Sequence, residues 1–163
     1  MFKKRGAFTF LLKYTILIAV LSSIPMLFYI RDARFSETWL LYLGNAFVLA
    51  GVFPLMIYFN KKFGNEDADT GAMITAGLII TSITIIIILI IAILLLIIFI
   101  PGLFSRGMAG KILTQAPLNK VEDKTNGLLF IVILNVLFGN FIAGSFSSLI
   151  TAFTAKKNQK EPD

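Results

Sequence analysis

The chain contains no cysteine and no histidine, and only 15% of its residues are charged. The first two absences remove disulfides, thiol redox chemistry, iron–sulfur ligation and the commonest ligands of zinc and haem. They also leave the redox compartment unmarked. The scarcity of charge stands beside 57% hydrophobic residues and a mean hydropathy of +0.86, outside the range of water-soluble domains. A length of 163 residues, most of it apolar, leaves room for a single membrane domain (1–163) and no water-soluble catalytic domain beside it. The net charge of +6 does not point to nucleic acid, because the basic residues flank apolar runs instead of forming a stripe.

Asp, Glu, Lys, Arg and His are also missing from the interiors of the apolar runs, which are expected as spans at about 14–30, 39–59, 71–100 and 127–155. Intramembrane acids and bases are the usual marks of proton relays and charged-substrate paths. A proton-driven exporter, an intramembrane protease or a lipid-modifying enzyme would each need such a group or a metal site. Hydroxyls without a partner base do not replace them. The chain is therefore expected to be non-enzymatic, with no catalytic residue, no metal and no cofactor.

What is present is an ordered series of spans. A basic lead (Lys3, Lys4, Arg5, Lys13) precedes the first run, which continues past the length of a signal peptide without a small-x-small cleavage site. Pro25 in the first span and Pro54 in the second are expected to kink their helices. Trp39, Tyr42 and Tyr58 mark the ends of the second span as interfacial aromatics. Gly44, Asn45, Ala46, Ala50 and Gly51 are expected to give it a small, partly polar face. Acidic residues before the third span suit a helix N-terminus, with Asp69 or Thr70 as cap. The segment from Asn65 to Gly71 has a calcium-loop look, but its glycine is one place late and Ala76 stands where the bidentate glutamate belongs. The third span is small and hydroxylated in its first half and almost pure Ile and Leu in its second. Within 102–126, Phe104, Met108 and Ile112 recur every four residues, the spacing of a short interfacial helix. A basic tail, 156–163, follows the fourth span.

The fourth span carries the most informative pattern. Asn135, Gly139, Ala143, Ser147 and Thr151 form one row at a spacing of four, beside Asn140, Gly144, Ser148 and Ala152. The opposite face carries Phe138, Phe141, Ile142, Phe146, Leu149, Ile150 and Phe153. Within a bilayer, small residues that let backbones approach hold helices together, so these rows are expected to form a packing seam against spans two and three. Asn45, Asn135 and Asn140 are the strongest polar features inside the spans. They are expected as a polar bundle core that hydrogen-bonds between helices.

An Asn-Lys-Lys-Phe-Gly turn follows span two (60–64), a polar insert follows span three, and the last helix ends Gly-Ser-Phe-Ser-Ser-Leu-Ile-Thr-Ala-Phe-Thr-Ala-Lys-Lys (144–157). This layout resembles a family of small uncharacterised four-helix inner-membrane proteins common in Bacteroidetes, although its insert lacks the strong acidity associated with that family. The resemblance implies a setting and no mechanism, since the family has no assigned activity.

Together these features predict an all-α integral membrane protein, four transmembrane helices in an up-down bundle with a short interfacial helix between the third and fourth. The amino-terminal lead, the second loop and the tail hold most of the lysines and arginines, which puts both termini in the cytoplasm of a bacterium. The expected function is an accessory or scaffolding subunit that packs against other membrane proteins or forms a homo-oligomer within the lipid bilayer. The alternative is a small channel or carrier for a neutral or lipid-like solute, built on the three asparagines around the two proline kinks.

Overall fold

The computed structural model describes residues 6–32, 37–63, 70–100 and 125–157. All regular structure among the described residues is helical: α1 (Ala7–Asp32), α2 (Trp39–Phe63), α3 (Thr70–Phe99), α4 (Thr125–Leu134), a π-helical turn (Asn135–Gly139) and α5 (Asn140–Lys157). The last three form one continuous helical run. Four stretches are long and apolar enough to cross a membrane: Ala7–Asp32, Trp39–Phe63, Thr70–Phe99 and Gly127–Thr154.

The helices outrun the apolar segments that seed them. α1 begins at Ala7, so Lys13 lies within the helix and not in a separate lead. Gly6 turns the chain into it with a φ of +86°, a conformation open to glycine at no steric cost, and its carbonyl accepts the Phe10 N–H at 3.0 Å. α2 continues to Phe63 and places Lys61 and Lys62 in its last turn, where cations suit the negative end of the helix dipole. Both helices remain helical through Pro25 and Pro54. Thr70 opens α3, yet its hydroxyl has no partner among the described residues, so it does not cap the helix. Asp69 and the Asn65–Asp69 stretch lie outside the described residues, as do Lys3, Lys4, Arg5 and the tail beyond Lys157. The interfacial helix expected within 102–126 lies outside them too, except that Thr125 and Asn126 belong to the first turn of α4.

The bundle closes in the order α1, α2, the fourth run, α3. α1 packs against α2 and α3, α5 packs against α2 and α3, and α2 meets α3 only lightly across the diagonal. Close approaches between helices fix the directions. Gly44 lies against Ser22 and Gly51 against Ile18, so α1 and α2 are antiparallel. Gly77 lies against Ser148 and Gly144 against Thr81, so α3 and α5 are antiparallel as well. Along α2 and the fourth run the pairings ascend together, from Asn45 with Asn135 to Leu49 with Ser147, so those two are parallel.

α3 has 30 residues and is about 45 Å long, against a hydrocarbon core of roughly 30 Å. Its isoleucine-rich half divides by face. Ile85, Ile88, Ala92 and Leu96 are buried in the bundle, while Ile86, Ile90, Leu94, Ile97 and Ile98 look outward. The core that joins them includes Leu11, Ile18, Val48, Val52, Met56, Phe59, Val132 and Val136. At one end of the bundle, Lys62 Nζ sits 4.9 Å from the centroid of Phe10, 5.6 Å from Phe63 and 5.9 Å from Tyr58. The ammonium thus closes an aromatic cluster where the start of α1 meets the end of α2. At the other end Trp39 and Tyr42 are exposed, and Trp39 Nε1 donates to Glu37 at 2.8 Å.

The small face expected on α2 is only partly one face. Gly44 is buried and Gly51 half-buried against α1, whereas Ala46 and Ala50 are exposed. At about 100° per residue, position 46 points some 200° away from position 44, so spacing alone separates them.

Candidate functional site

The polar centre of the molecule is built where α2, the π turn and α1 converge. Asn45 Nδ2 donates to Asn135 Oδ1 at 2.9 Å, and Asn135 Nδ2 donates back to Asn45 Oδ1 at 3.2 Å. Two amides paired reciprocally in this way satisfy each other across the α2–π-turn interface. Gly139 makes room for them: a methyl group there would stand 2.5 Å from Asn45 Nδ2 and 2.8 Å from Asn135 Oδ1.

Asn140 behaves differently. Its backbone N–H reaches back five residues to the Asn135 carbonyl, the π-helical bond, and so passes over the Val136 carbonyl that a regular helix would use. The Asn140 side chain repairs that omission: its Nδ2 donates to Val136 O at 3.2 Å. Asn45 and Asn135 therefore bond to each other between helices, whereas the Asn140 amide serves its own backbone. Its Oδ1, on a residue only 3% exposed, has no hydrogen-bond partner among the described residues. The donor role of Nδ2 toward a carbonyl fixes which way this amide points.

The π turn is what the spacing rules did not anticipate. Leu128, Val132, Val136, Asn140, Gly144, Ser148 and Ala152 are buried at a strict spacing of four. In a regular helix such a row drifts by about 40° per step, or roughly 240° over its length, and would leave the interface. One wider turn absorbs about one residue of that drift. It also brings Asn135 and Asn140, about 140° apart at five residues in a regular helix, to one cleft. The signal in the sequence is that pair of asparagines five apart with a glycine between them.

Of the remaining seam residues, Ala143, Gly144, Ser147, Ser148 and Thr151 are buried, while Gly139 and Asn135 are half-buried. Phe138, Phe141, Ile142, Phe146, Leu149, Ile150 and Phe153 are exposed. The hydroxyls mostly bond within their own helices: Ser148 Oγ to Gly144 O at 2.7 Å, Thr151 Oγ1 to Ser147 O at 2.8 Å and, on α3, Thr84 Oγ1 to Ile80 O at 2.9 Å. Ser147 is the exception, donating to the Leu49 carbonyl of α2 at 3.1 Å. That carbonyl lies one residue before Ala50, whose own carbonyl loses its usual helical donor because Pro54 has no N–H. Ser22, three residues before Pro25 on α1, also belongs to the centre: it donates to Ala19 O at 3.0 Å and lines the same cleft as the three asparagines.

Chemically the site offers neutral donors and acceptors and no acid or base. No cluster of three or more potential metal ligands occurs among the described residues. The class these features define is a small helical protein with four candidate membrane spans and a neutral polar centre. Compared with family models, curated proteins and solved structures, the chain matches none.

The asparagine pair carries a quantitative expectation. Asn45→Leu or Asn135→Leu alone leaves a half-buried amide without its partner, at a cost of about 1–3 kcal/mol. A double-mutant cycle of the two, measured by unfolding in mixed detergent, should return a coupling of about 0.6–1.7 kcal/mol. Strictly additive losses would show that the amides do not interact.

Proposed function

We propose that this protein is a non-enzymatic accessory or scaffolding subunit of a bacterial cytoplasmic membrane. In this reading it crosses the bilayer four times in up-down sequence, with both termini in the cytoplasm. It associates with other membrane proteins, or with further copies of itself, through its outer face. The basic residues that flank the spans support the orientation, and the resemblance to the four-helix Bacteroidetes family supports the setting.

One observation carries the functional reading: the small and polar residues of the fourth span are used within the chain. Gly144 and Ser148 lie against α3, and Asn135 and Ser147 bond to α2. The outer face is left to bulky side chains such as Phe138, Phe141, Phe146 and Phe153. Such a body is complete in itself, and its surface suits lipid and apolar helix faces. The same observation weighs against the solute-pathway alternative, because two of the three asparagines that would line a route are committed to each other.

The test is purification of the tagged protein at native expression level in mild detergent, followed by mass spectrometry. A stoichiometric set of membrane partners, or a defined homo-oligomer, supports the reading. A lone monomer that catalyses solute flux into liposomes, with the flux lost in Asn45→Leu, would overturn it.

A further inference from the structure

Ser22 and Met26 of α1, Gly44 and Asn45 of α2, and Asn135 and Asn140 of the fourth run line a partly open cleft that leaves about 10 Å³ for the centre of a water molecule. That is close to the space one water requires. The lining is polar where it matters. Asn140 Oδ1 is an acceptor without a partner among the described residues, on a buried residue where an unmet hydrogen bond is costly. Asn45 and Asn135 each use one amide N–H in their mutual pair and each retain a second. Ser22 Oγ donates to Ala19 O and keeps its lone pairs.

We propose that this cleft is a specific binding site for one water molecule. The water donates to Asn140 Oδ1 and to Ser22 Oγ, and accepts from the second amide N–H of Asn45 or Asn135. The site thereby links α1, α2 and the fourth run through a single polar layer. A buried water is held by two to four such bonds, and this site supplies donors as well as acceptors. The mixture decides the ligand. A monovalent cation of similar size needs oxygens on every side, and the amide N–H groups that line this cleft would repel it.

The experiment is water-selective NOE spectroscopy on the full chain in lipid nanodiscs, with the side-chain amides of asparagine isotopically labelled. The expected result is a cross-peak between water and the Asn140 amide protons, with the sign of a water that stays bound for longer than the complex tumbles. The cross-peak should persist in Ser22→Ala, which excludes relay through the serine hydroxyl, and should be absent from the Asn45 amide in Asn140→Leu. Resolved Asn140 amide signals without a water cross-peak would overturn the proposal. So would a saturable shift of those signals when choline is replaced by sodium or potassium, since that result would assign the cleft to a cation.

Discussion

Gly144→Leu is expected to be among the most damaging single substitutions in this protein. Even a methyl group at residue 144 would stand 2.9 Å from Thr81 Cβ and 2.5 Å from Thr81 Oγ1. Thr81 is completely buried, and as a β-branched residue on a helix it has few rotamers with which to move aside. The two helices must therefore separate, and every contact along the seam between α3 and α5 weakens with them. Overpacking of this kind costs about 1–3 kcal/mol for modest additions, and leucine lies at or beyond the top of that range. A marked fall in the melting temperature of the detergent-solubilised protein is expected, with Gly144→Ala intermediate. A Gly144→Leu protein as stable as the parent would remove the seam from the account.

Gly44→Ala is the second large effect, and it arises from backbone, not side chain. A Cβ at residue 44 would lie 2.8 Å from the carbonyl oxygen of Ser22 on α1. No rotamer change can relieve a clash with a main-chain oxygen, so α1 and α2 must part or shift along each other. A loss of about 1–3 kcal/mol is expected for this single methyl group. Gly51→Ala on the same interface provides the contrast. There the new methyl meets only the Ile18 side chain, the nearest atom being Cγ1 at 2.7 Å, and that chain can yield in part. Gly44→Ala should therefore lower the melting temperature clearly more than Gly51→Ala. Equal losses would show that the α1–α2 approach at Ser22 is not as close as described.

The pattern of small residues and phenylalanines on the fourth span was readable because a period near four separates the two faces of a helix whatever surrounds it. Gly144, Ser148 and Phe146 fall on the sides that this period assigns them. The partner choices were less readable. On α2, Gly44 and Asn45 are adjacent in sequence yet serve different neighbours, because about 100° of rotation turns one toward α1 and the other toward the fourth run. The division of α3 into a buried and an exposed isoleucine face was hidden altogether, since a uniformly apolar stretch carries no contrast from which to read a face. The π turn was hidden for another reason. It depends on a mismatch between a strict spacing of four and the pitch of a helix that must stay in contact with two neighbours over its full length. Asn140 shows the consequence: its position marked it as interhelical, but the shifted backbone bond claims its amide.

The small-residue seam of the fourth span closes within a single chain, with Gly144 against Thr81 and Ser148 against Gly77. Because the native sequence has no cysteine, a disulfide between introduced residues tests it without background. Thr81→Cys and Gly144→Cys together place two Cβ positions 2.9 Å apart, so the helices need part by only about 1 Å to reach the 3.5–4.5 Å of an ordinary disulfide. Under mild oxidation in native membranes, rapid conversion to a cross-linked monomer with no dimer is expected. A covalent dimer, or two thiols that remain free, would contradict it.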